Sequence, residues 1–308
     1  MKIVFMGTPS AAVVSLQRLI EDGHEIAAVY TQPDRPSGRG NKITFSPVKQ
    51  FGLEHELTVL QPTKVRTDEA FDQFRSLNAD IAVVVAYGRI LPDSFLNAFV
   101  HGAVNVHFSL LPKYRGAAPV NWAIVNGESV TGVTTMKMDA GLDTGDILLQ
   151  RETEIDKEED SIGLMFRLGE IGAELLSKTL DELSLIERRE QDHSAATLAP
   201  IMKKEDGKFD WNFSADRIAR MVRGFQPFPT TYTTFDGKKL TIWKAGSRAE
   251  KLVADPGTVI TASGDELVVS CGEGSLLEIS ELQLEGKKRI AVRDFLNGTK
   301  LKIGDCLS

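Results

Sequence analysis

Ile81-Ala-Val-Val-Val-Ala86 is an unbroken apolar run and carries the strongest fold signal in the chain. A strand with one face in water alternates apolar and polar residues, because successive side chains point to opposite faces. This run does not alternate, so we expect other elements to cover both of its faces. Such strands are typical of the centre of a parallel sheet that has helices packed on both sides.

The segments around this run alternate between strand and helix patterns. Thr8 is the expected N-cap of the first helix and Pro9 its expected first residue. A long amphipathic helix is expected from Leu164 to Leu183. These patterns predict an α/β fold for residues 1–188, a doubly wound, Rossmann-like, mostly parallel sheet. Three further segments are strand-like: Lys2-Ile-Val-Phe-Met6, Glu25-Ile-Ala-Ala-Val-Tyr-Thr31 and Val104-Asn-Val-His107.

The last third of the chain has a different pattern. Residues 189–206 are polar and irregular, which is typical of a linker. Ser214 is expected to cap one further helix. Two strand-like segments then flank Asp236-Gly237, a dipeptide that favours the type I′ turn of a two-residue hairpin. Short strands continue at regular spacing, which predicts a small C-terminal β-barrel domain, OB-like in kind, over residues 207–308.

Composition and charge are those of an ordinary globular protein. The chain has 308 residues, enough for about two domains, with 42% hydrophobic and 26% charged residues. Its first residues begin a strand rather than a signal peptide, and no segment has the roughly 18 consecutive apolar residues of a membrane span. Cys271 and Cys306 lack metal-ligand spacing, which indicates a reducing, cytoplasmic location. A net charge of −7 disfavours a nucleic-acid partner unless a local basic patch exists.

Asn105 and His107 are the most informative polar residues. They lie two apart on a short strand, so their side chains point to the same face, at the strand end where open parallel sheets usually bind ligands. Asp143, within Asp139-Ala-Gly-Leu-Asp-Thr-Gly145, adds a carboxylate. An amide can donate to an oxyanion, an imidazole can transfer a proton, and a carboxylate can bias the charge of the imidazole. Together these groups indicate acyl transfer without a metal or a covalent intermediate.

The run Asn105-Val-His-Phe-Ser-Leu-Leu-Pro-Lys-Tyr-Arg-Gly-Ala-Ala-Pro119 resembles the folate-dependent formyltransferases, and Gly132-Val-Thr-Thr-Met136 extends the resemblance. The resemblance implies that the formyl donor is 10-formyltetrahydrofolate and that Asn105, His107 and Asp143 are catalytic. It also implies that the donor is bound by two short segments and one acidic residue: Ser109, Leu110, Leu111 and Pro112; Arg89, Ile90 and Leu91; and Asp139.

A basic segment follows the second predicted strand. Pro33-Asp-Arg-Pro-Ser-Gly-Arg-Gly40 is rich in proline and glycine, which predicts an exposed loop at the active-site edge of the sheet. Formyltransferases that act on aminoacyl-tRNA carry a similar loop, which reaches into the acceptor stem. The resemblance therefore implies that initiator methionyl-tRNA is the acceptor. The residues expected to contact it are Arg39, Arg35 and Lys42.

Several alternatives stay open. A sugar-nucleotide N-formyltransferase would use the same three catalytic groups, and a formyltetrahydrofolate hydrolase would use them on water. A non-enzymatic RNA-binding module would leave those groups without a purpose, although Lys287-Lys-Arg289 with Arg293 is a second basic cluster. A dinucleotide site is disfavoured, because Phe5-Met-Gly-Thr-Pro-Ser10 lacks the three-glycine pattern and Pro9 has no amide hydrogen. We expect a monomer without a bound metal.

Overall fold

The structure, a computed structural model, describes residues 1–37 and 42–308. It divides into two compact units. The first comprises Met1–Pro119, Val130–Glu154 and Met165–Pro200, and the second comprises Val120–Ser129, Ile155–Leu164 and Ile201–Ser308. The limits predicted from sequence, residues 188 and 206, do not coincide with the limits of these units: the first twelve residues of the predicted linker, 189–200, belong to the first unit. No helix in the described ranges is long and apolar enough to cross a membrane.

The strands of the first unit are, in chain order, β1 (Lys2–Gly7), β2 (Glu25–Tyr30), β3 (Arg35–Ser37), β4 (Lys42–Thr44), β5 (Val59–Leu60), β6 (Ile81–Val85), β7 (Ala103–His107), β8 (Arg115–Gly116), β9 (Val130–Lys137), β10 (Ile147–Glu154) and β11 (Leu198–Ala199). Among the described residues, seven of them form one sheet in the order β10-β9-β7-β6-β1-β2-β5. Two small pairs stand apart from it, β3 with β4 and β8 with β11.

The main sheet is mostly parallel. β5, β2, β1, β6 and β7 pair in parallel, and β9 and β10 add two antiparallel strands beside β7. From β1 the chain builds β2 and β5 on one side and then β6 and β7 on the other, so the predicted doubly wound topology is confirmed. All five residues of β6 are buried, as the apolar run predicts.

The helices in the first two thirds of the chain are α1 (Ser10–Glu21), α2 (Pro47–Glu54), α3 (Asp68–Ser76), α4 (Asp93–Leu96), α5 (Pro119–Asn126) and α6 (Ser161–Asp181). The prediction that Thr8 caps α1 is wrong. The N-cap of α1 is Pro9, and the Thr8 hydroxyl instead donates to the Tyr87 carbonyl at 3.1 Å. The Thr8 hydroxyl is therefore bonded to a carbonyl that follows the neighbouring strand β6, and it does not cap α1.

The second unit contains β12 (Thr231–Phe235), β13 (Lys238–Arg248), β14 (Val259–Ser263), β15 (Glu266–Ser270), β16 (Leu276–Leu284) and β17 (Ile290–Ala291), with helices α7 (Ala215–Gly224) and α8 (Val292–Gly298). The predicted hairpin joins β12 to β13. Its turn residues Asp236 and Gly237 have φ values of 49° and 69°, as a type I′ turn requires. Ser214 caps α7, as predicted, because its hydroxyl accepts from the Arg217 amide.

The last residues of the chain close this second sheet. The strand order is β12-β13-β16-β15-β14, with β17 on β16, so β12 and β14 are its edges. Asp305 accepts from the Val259 amide of β14 at 2.8 Å, and Ser308 accepts from the Thr234 amide of β12 at 2.6 Å. The C-terminal segment therefore lies between the two edges and completes the predicted barrel.

Candidate active site

His107 is the last residue of β7, at the carboxyl end of the parallel strands, and its side chain is buried. Its Nε2 lies 2.9 Å from the Tyr114 carbonyl oxygen. Because a carbonyl oxygen only accepts, Nε2 carries the hydrogen of this bond. The other ring nitrogen, Nδ1, lies 3.7 Å from Oδ2 of Asp143. The structure therefore brings together the imidazole and the carboxylate that the sequence placed on separate segments.

Asn105 lies two residues before His107 on the same strand and is 8% exposed. The side-chain amide of Asn105 forms no hydrogen bond with any other residue that the structure describes. The amide of Asn105 is therefore available to a group that is not part of the chain.

The Asp143 carboxylate is held by the main chain of a neighbouring loop. The Gly116 amide donates to its Oδ2 at 2.8 Å. Gly116 has a φ of 122°, and a Cβ at this position would lie 2.6 Å from the carbonyl oxygen of Ala199 in the paired strand β11. Only glycine allows this close approach of the two strands. The same short loop therefore contacts both partners, His107 through Tyr114 and Asp143 through Gly116.

The predicted donor-binding turn, Ser109 to Pro112, begins two residues after His107 and is held by Thr134. The Thr134 hydroxyl donates to the Ser109 carbonyl at 2.7 Å and accepts from the Leu111 amide at 3.1 Å. The Leu110 side chain packs over Gly132, where a Cβ would come within 2.5 Å of it. Thr134 and Gly132 both belong to the motif Gly132–Met136. The residues of this motif therefore hold the donor-binding turn in place.

A cleft of about 480 Å³ lies in the first unit beside the loop that carries Asp143. Its walls include two of the predicted donor-binding residues, Ile90 and Leu91, together with Phe71 and Ala140. Ile90 is 69% exposed although it is strongly apolar. The volume of the cleft is within the range of small-molecule sites.

Two other predicted donor-binding residues have partners within the chain. The Arg89 guanidinium donates to the Thr63 carbonyl at 2.6 Å and to Gln32 at 3.2 Å. The Asp139 carboxylate accepts from the Gly141 amide and from the Thr144 hydroxyl, which closes a turn that contains Asp143. In the structure both side chains therefore shape loops beside the cleft.

The basic segment after β2 begins at an ion pair. The Lys49 ammonium lies 2.5 Å from the Asp34 carboxylate, and hydrogen bonds from Lys49 and then Gln61 hold the pKa of Asp34 below its ordinary value. Lys49 and Asp34 neutralise each other, so the excess positive charge of this segment is carried by the predicted contact residues. Arg35 is exposed and starts β3, Lys42 starts β4, and Arg39 lies outside the described residues.

The second basic cluster is partly neutralised. Arg289 lies 2.5 Å from Glu281, and Arg293 pairs with Asp265. The hydrogen bonds that Arg293 donates to the Asp265 carboxylate raise the pKa of Arg293 above its ordinary value. Within the described ranges no group of three or more His, Cys, Asp or Glu side chains is arranged to hold a metal ion.

Gln191 is a buried polar residue that no sequence pattern singled out. Gln191 lies in the predicted linker, is 3% exposed, and donates to the main-chain carbonyls of Asp143 and Gly145. The side chain of Arg115 donates to it in turn. No local pattern singles out a glutamine in a polar segment, so this contact could be found only in three dimensions.

Comparison with known families defines the class of protein to which this fold and site belong. The chain matches the Formyl transferase family over residues 1–180 and the Formyl transferase C-terminal domain family over residues 201–300. It therefore belongs to the formyl transferase family. The proposed catalytic residues and the cleft lie within the first match.

Two similar curated proteins share one name. The chain is 50% identical over 306 residues to the methionyl-tRNA formyltransferase of Geobacter metallireducens, covering 99% of this chain and 97% of that protein. It is 48% identical over 311 residues to the methionyl-tRNA formyltransferase of Caldanaerobacter subterraneus subsp. tengcongensis, and the alignment covers 100% of each.

Two solved structures of similar fold have much lower sequence identity to this chain. An N-formyltransferase from Helicobacter canadensis, in complex with folinic acid and dTDP-3-aminofucose, has a TM-score of 0.70 at 19% identity, covering 91% of this chain and 98% of that one. HypX from Aquifex aeolicus, in complex with tetrahydrofolic acid, has a TM-score of 0.65 at 16% identity, covering 99% of this chain and 50% of that one. At such identities the comparison shows the fold alone.

Proposed function

We propose that this protein transfers the formyl group of 10-formyltetrahydrofolate to the α-amino group of initiator methionyl-tRNA. The observation that carries the proposal is the match of the whole chain, at about half identity, to proteins named methionyl-tRNA formyltransferase. The contact between His107 and Asp143 beside Asn105 supports it, because these groups suit acyl transfer.

The reaction forms a bond between the methionine nitrogen and the formyl carbon and breaks the bond from that carbon to N10 of the folate. The amine must be neutral to attack, and an α-amino group has a reference pKa of about 7.7–8.0, so this costs little at neutral pH. Attack creates an oxyanion on the formyl oxygen. The unpartnered amide of Asn105 donates to that oxyanion. Loss of one such donor typically raises a barrier by about 2.7–4 kcal/mol.

The hydrogen bond from Nε2 of His107 to Tyr114 determines which nitrogen acts. Since Nε2 donates to a carbonyl, Nδ1 can donate to the oxyanion only when the ring is an imidazolium. The Asp143 carboxylate, 3.7 Å from Nδ1, stabilises that positive charge. The carboxylate also accepts the proton released by the amine, through a water molecule, and passes it towards the leaving nitrogen. Acid–base help of this kind contributes about 10²–10⁴-fold.

The cleft beside the Asp143 loop fits a folate donor. A pterin ring is flat, with apolar faces and hydrogen-bonding edges. Ile90, Leu91 and Ala140 offer apolar walls, and among the described residues their main-chain groups form no hydrogen bonds. Those groups can therefore bind the ring edges. In this proposal Ser109, Leu110, Leu111, Pro112 and Asp139 line the path from the cleft to His107, and Arg89 holds the cleft wall.

The basic segment is the proposed tRNA contact. β2 and β7 run parallel within one sheet, so the segment after β2 and the end of β7 lie at the same edge of that sheet. Arg35, Arg39 and Lys42 then reach the acceptor stem while its methionine reaches His107. We further propose that the enzyme works in the cytoplasm as a monomer. Size-exclusion chromatography coupled to light scattering tests the oligomeric state.

The decisive experiment compares acceptors on the purified protein. With 10-formyltetrahydrofolate we expect formylated methionyl-tRNA, little product with a dTDP-amino sugar, and little formate without an amine acceptor. Preferred use of the sugar nucleotide would instead identify a sugar N-formyltransferase, and formate release alone would identify a hydrolase. Asn105→Ala and His107→Ala should abolish turnover while the melting temperature stays close to that of the wild type. Near wild-type formylation by either variant would refute its role.

A further inference from the structure

We infer that Gln191 is a positioning residue for the proposed formyl transfer, holding Asp143 beside His107. This inference rests on the proposed function. Gln191 touches neither reacting group, since it donates to main-chain carbonyls of the loop that carries Asp143. Its effect on the reaction would be transmitted through the position of the Asp143 carboxylate.

Both donor hydrogens of the Gln191 amide are used on this loop. Its Nε2 lies 2.9 Å from the Asp143 carbonyl oxygen and 2.7 Å from that of Gly145. The side chain is 3% exposed, so water does not compete for these bonds. The amide therefore ties together two carbonyls that are two residues apart, on either side of Thr144.

Arg115 sets the orientation of that amide. Its Nε and Nη2 lie 3.1 Å and 2.7 Å from Oε1 of Gln191. A guanidinium only donates, so the oxygen of the amide must face Arg115 and the nitrogen must face the loop. Arg115 is itself 7% exposed, and its Nη2 also lies 3.1 Å from Nδ1 of His193. The flipped amide, which would place its oxygen against two carbonyl oxygens, is thereby excluded.

The backbone conformation of Asp143 needs contacts that hold it in place. Its φ is 53°, in the left-handed region that residues other than glycine rarely adopt. Backbone in this region persists where surrounding contacts over-determine it, and it is common at active sites. Here the Asp143 carbonyl is bound by Gln191 and the Asp143 carboxylate by the Gly116 amide. The two contacts fix the residue at both ends and leave Oδ2 facing His107.

Arg115 and its two neighbours also link the Gln191 segment to His107 and to the Asp143 loop. Its side chain binds Gln191, its amide donates to the Thr197 carbonyl, and its neighbours Tyr114 and Gly116 contact His107 and Asp143. A shift of the Gln191 segment would therefore move the carboxylate relative to the imidazole. A displacement of about 1 Å at a reacting group can cost about 100-fold in rate.

The test is Gln191→Glu. A glutamate keeps the size of the side chain and the acceptor for Arg115, but it lacks both donors to the loop. The new carboxylate oxygen faces the carbonyl oxygens of Asp143 and Gly145, so we expect a folded enzyme with a lower melting temperature. We also expect a kcat lower by about 10- to 100-fold and KM values for both substrates changed by less than about threefold. A merely structural role would lower stability and leave kcat unchanged. A kcat within about twofold of the wild type would overturn the inference.

A double-mutant cycle tests the route through Asp143. If Gln191 acts by placing the carboxylate, Gln191→Glu should cost little more once Asp143→Asn has removed the charge. If the two losses simply multiply, Gln191 acts by another route and the inference is overturned. Arg115→Lys provides a second variant, expected to lower kcat and to be non-additive with Asp143→Asn in the same way.

Thr179→Val is the matched control. Thr179 is fully buried in the same unit, and its hydroxyl bonds to Leu175 at 2.7 Å and to Thr135 at 2.8 Å, away from the Asp143 loop. We expect it to lower the melting temperature and to leave kcat unchanged. If the wild type does not formylate methionyl-tRNA, the proposed function fails and the inference with it. If the wild type is active and Gln191→Glu is equally active, only the inference fails.

Discussion

Nδ1 of His107 and Oδ2 of Asp143 lie 3.7 Å apart, on the end of a central strand and on a separate loop. The distance is longer than a hydrogen bond and short enough for an ion pair with a protonated ring. Both residues are also bound by one short segment, because His107 donates to Tyr114 and Asp143 accepts from Gly116. The imidazole and the carboxylate are therefore positioned relative to each other by the main chain.

Removal of the charge at Asp143 should impair chemistry more than binding. Asp143→Asn keeps an oxygen for the Gly116 amide but cannot stabilise an imidazolium or accept a proton. We expect kcat to fall by about 10²–10⁴-fold with little change in the KM for either substrate, measured by single-turnover formylation. Asp146→Asn, in the same loop, is the control and should retain activity. A kcat within about threefold of the wild type would show that the carboxylate has no part in proton transfer.

Neutralising the basic segment should weaken tRNA binding and spare the folate site. For Arg39→Ala, Arg35→Ala and Lys42→Ala we expect a higher KM for methionyl-tRNA. Each lost phosphate contact should reduce the slope of log affinity against log salt by about 0.9. Lys178→Ala, an exposed lysine on α6, is the control. Unchanged tRNA kinetics across a range of salt concentrations would show that the segment is ordinary surface.

Gly116 should not tolerate a side chain. Gly116→Ala places a Cβ 2.6 Å from the Ala199 carbonyl oxygen and must displace the amide that binds Asp143. We expect both a lower melting temperature and a marked loss of kcat. Gly237→Ala is the matched control, because Gly237 also has a positive φ but nothing lies within 4 Å of its Cβ. It should cost about 1 kcal/mol of stability and no activity. Equal effects of the two variants on kcat would contradict the proposed contact.

The two thiols should differ strongly in reactivity. Burial raises the pKa of the Cys271 thiol to about 12, whereas Cys306 is exposed. At pH 8 we expect one fast reaction with a disulfide reagent, absent in Cys306→Ser, and a second reaction only on unfolding. An unfolded thiol has a pKa of about 8.5, so the contribution of Cys271 to stability is complete below that pH and is lost as the pH rises towards 12. Two equally fast thiols would show that the barrel core is open.

Several features followed from local sequence alone. The unbroken apolar run became the buried strand β6, and Asp236-Gly237 became the turn of a hairpin. The period of two along β7 placed Asn105 and His107 on one face, and both are buried at the carboxyl end of the sheet. Apolar runs, turn dipeptides and strand spacing are properties of neighbouring residues, so the sequence displays them directly.

Other features of the fold and the site depend on contacts between segments that are far apart in the sequence. Helix α2 was not predicted from the sequence, although Ser46 caps it and Pro47 is its first residue. Residues 189–200 have the composition of a linker, yet Arg189 pairs with Ile147, and Gln191 holds the Asp143 loop. A polar side chain is equally compatible with solvent and with a buried hydrogen bond. Its partner is determined by chain folding, because a buried donor must be satisfied by whichever carbonyl the fold brings within reach.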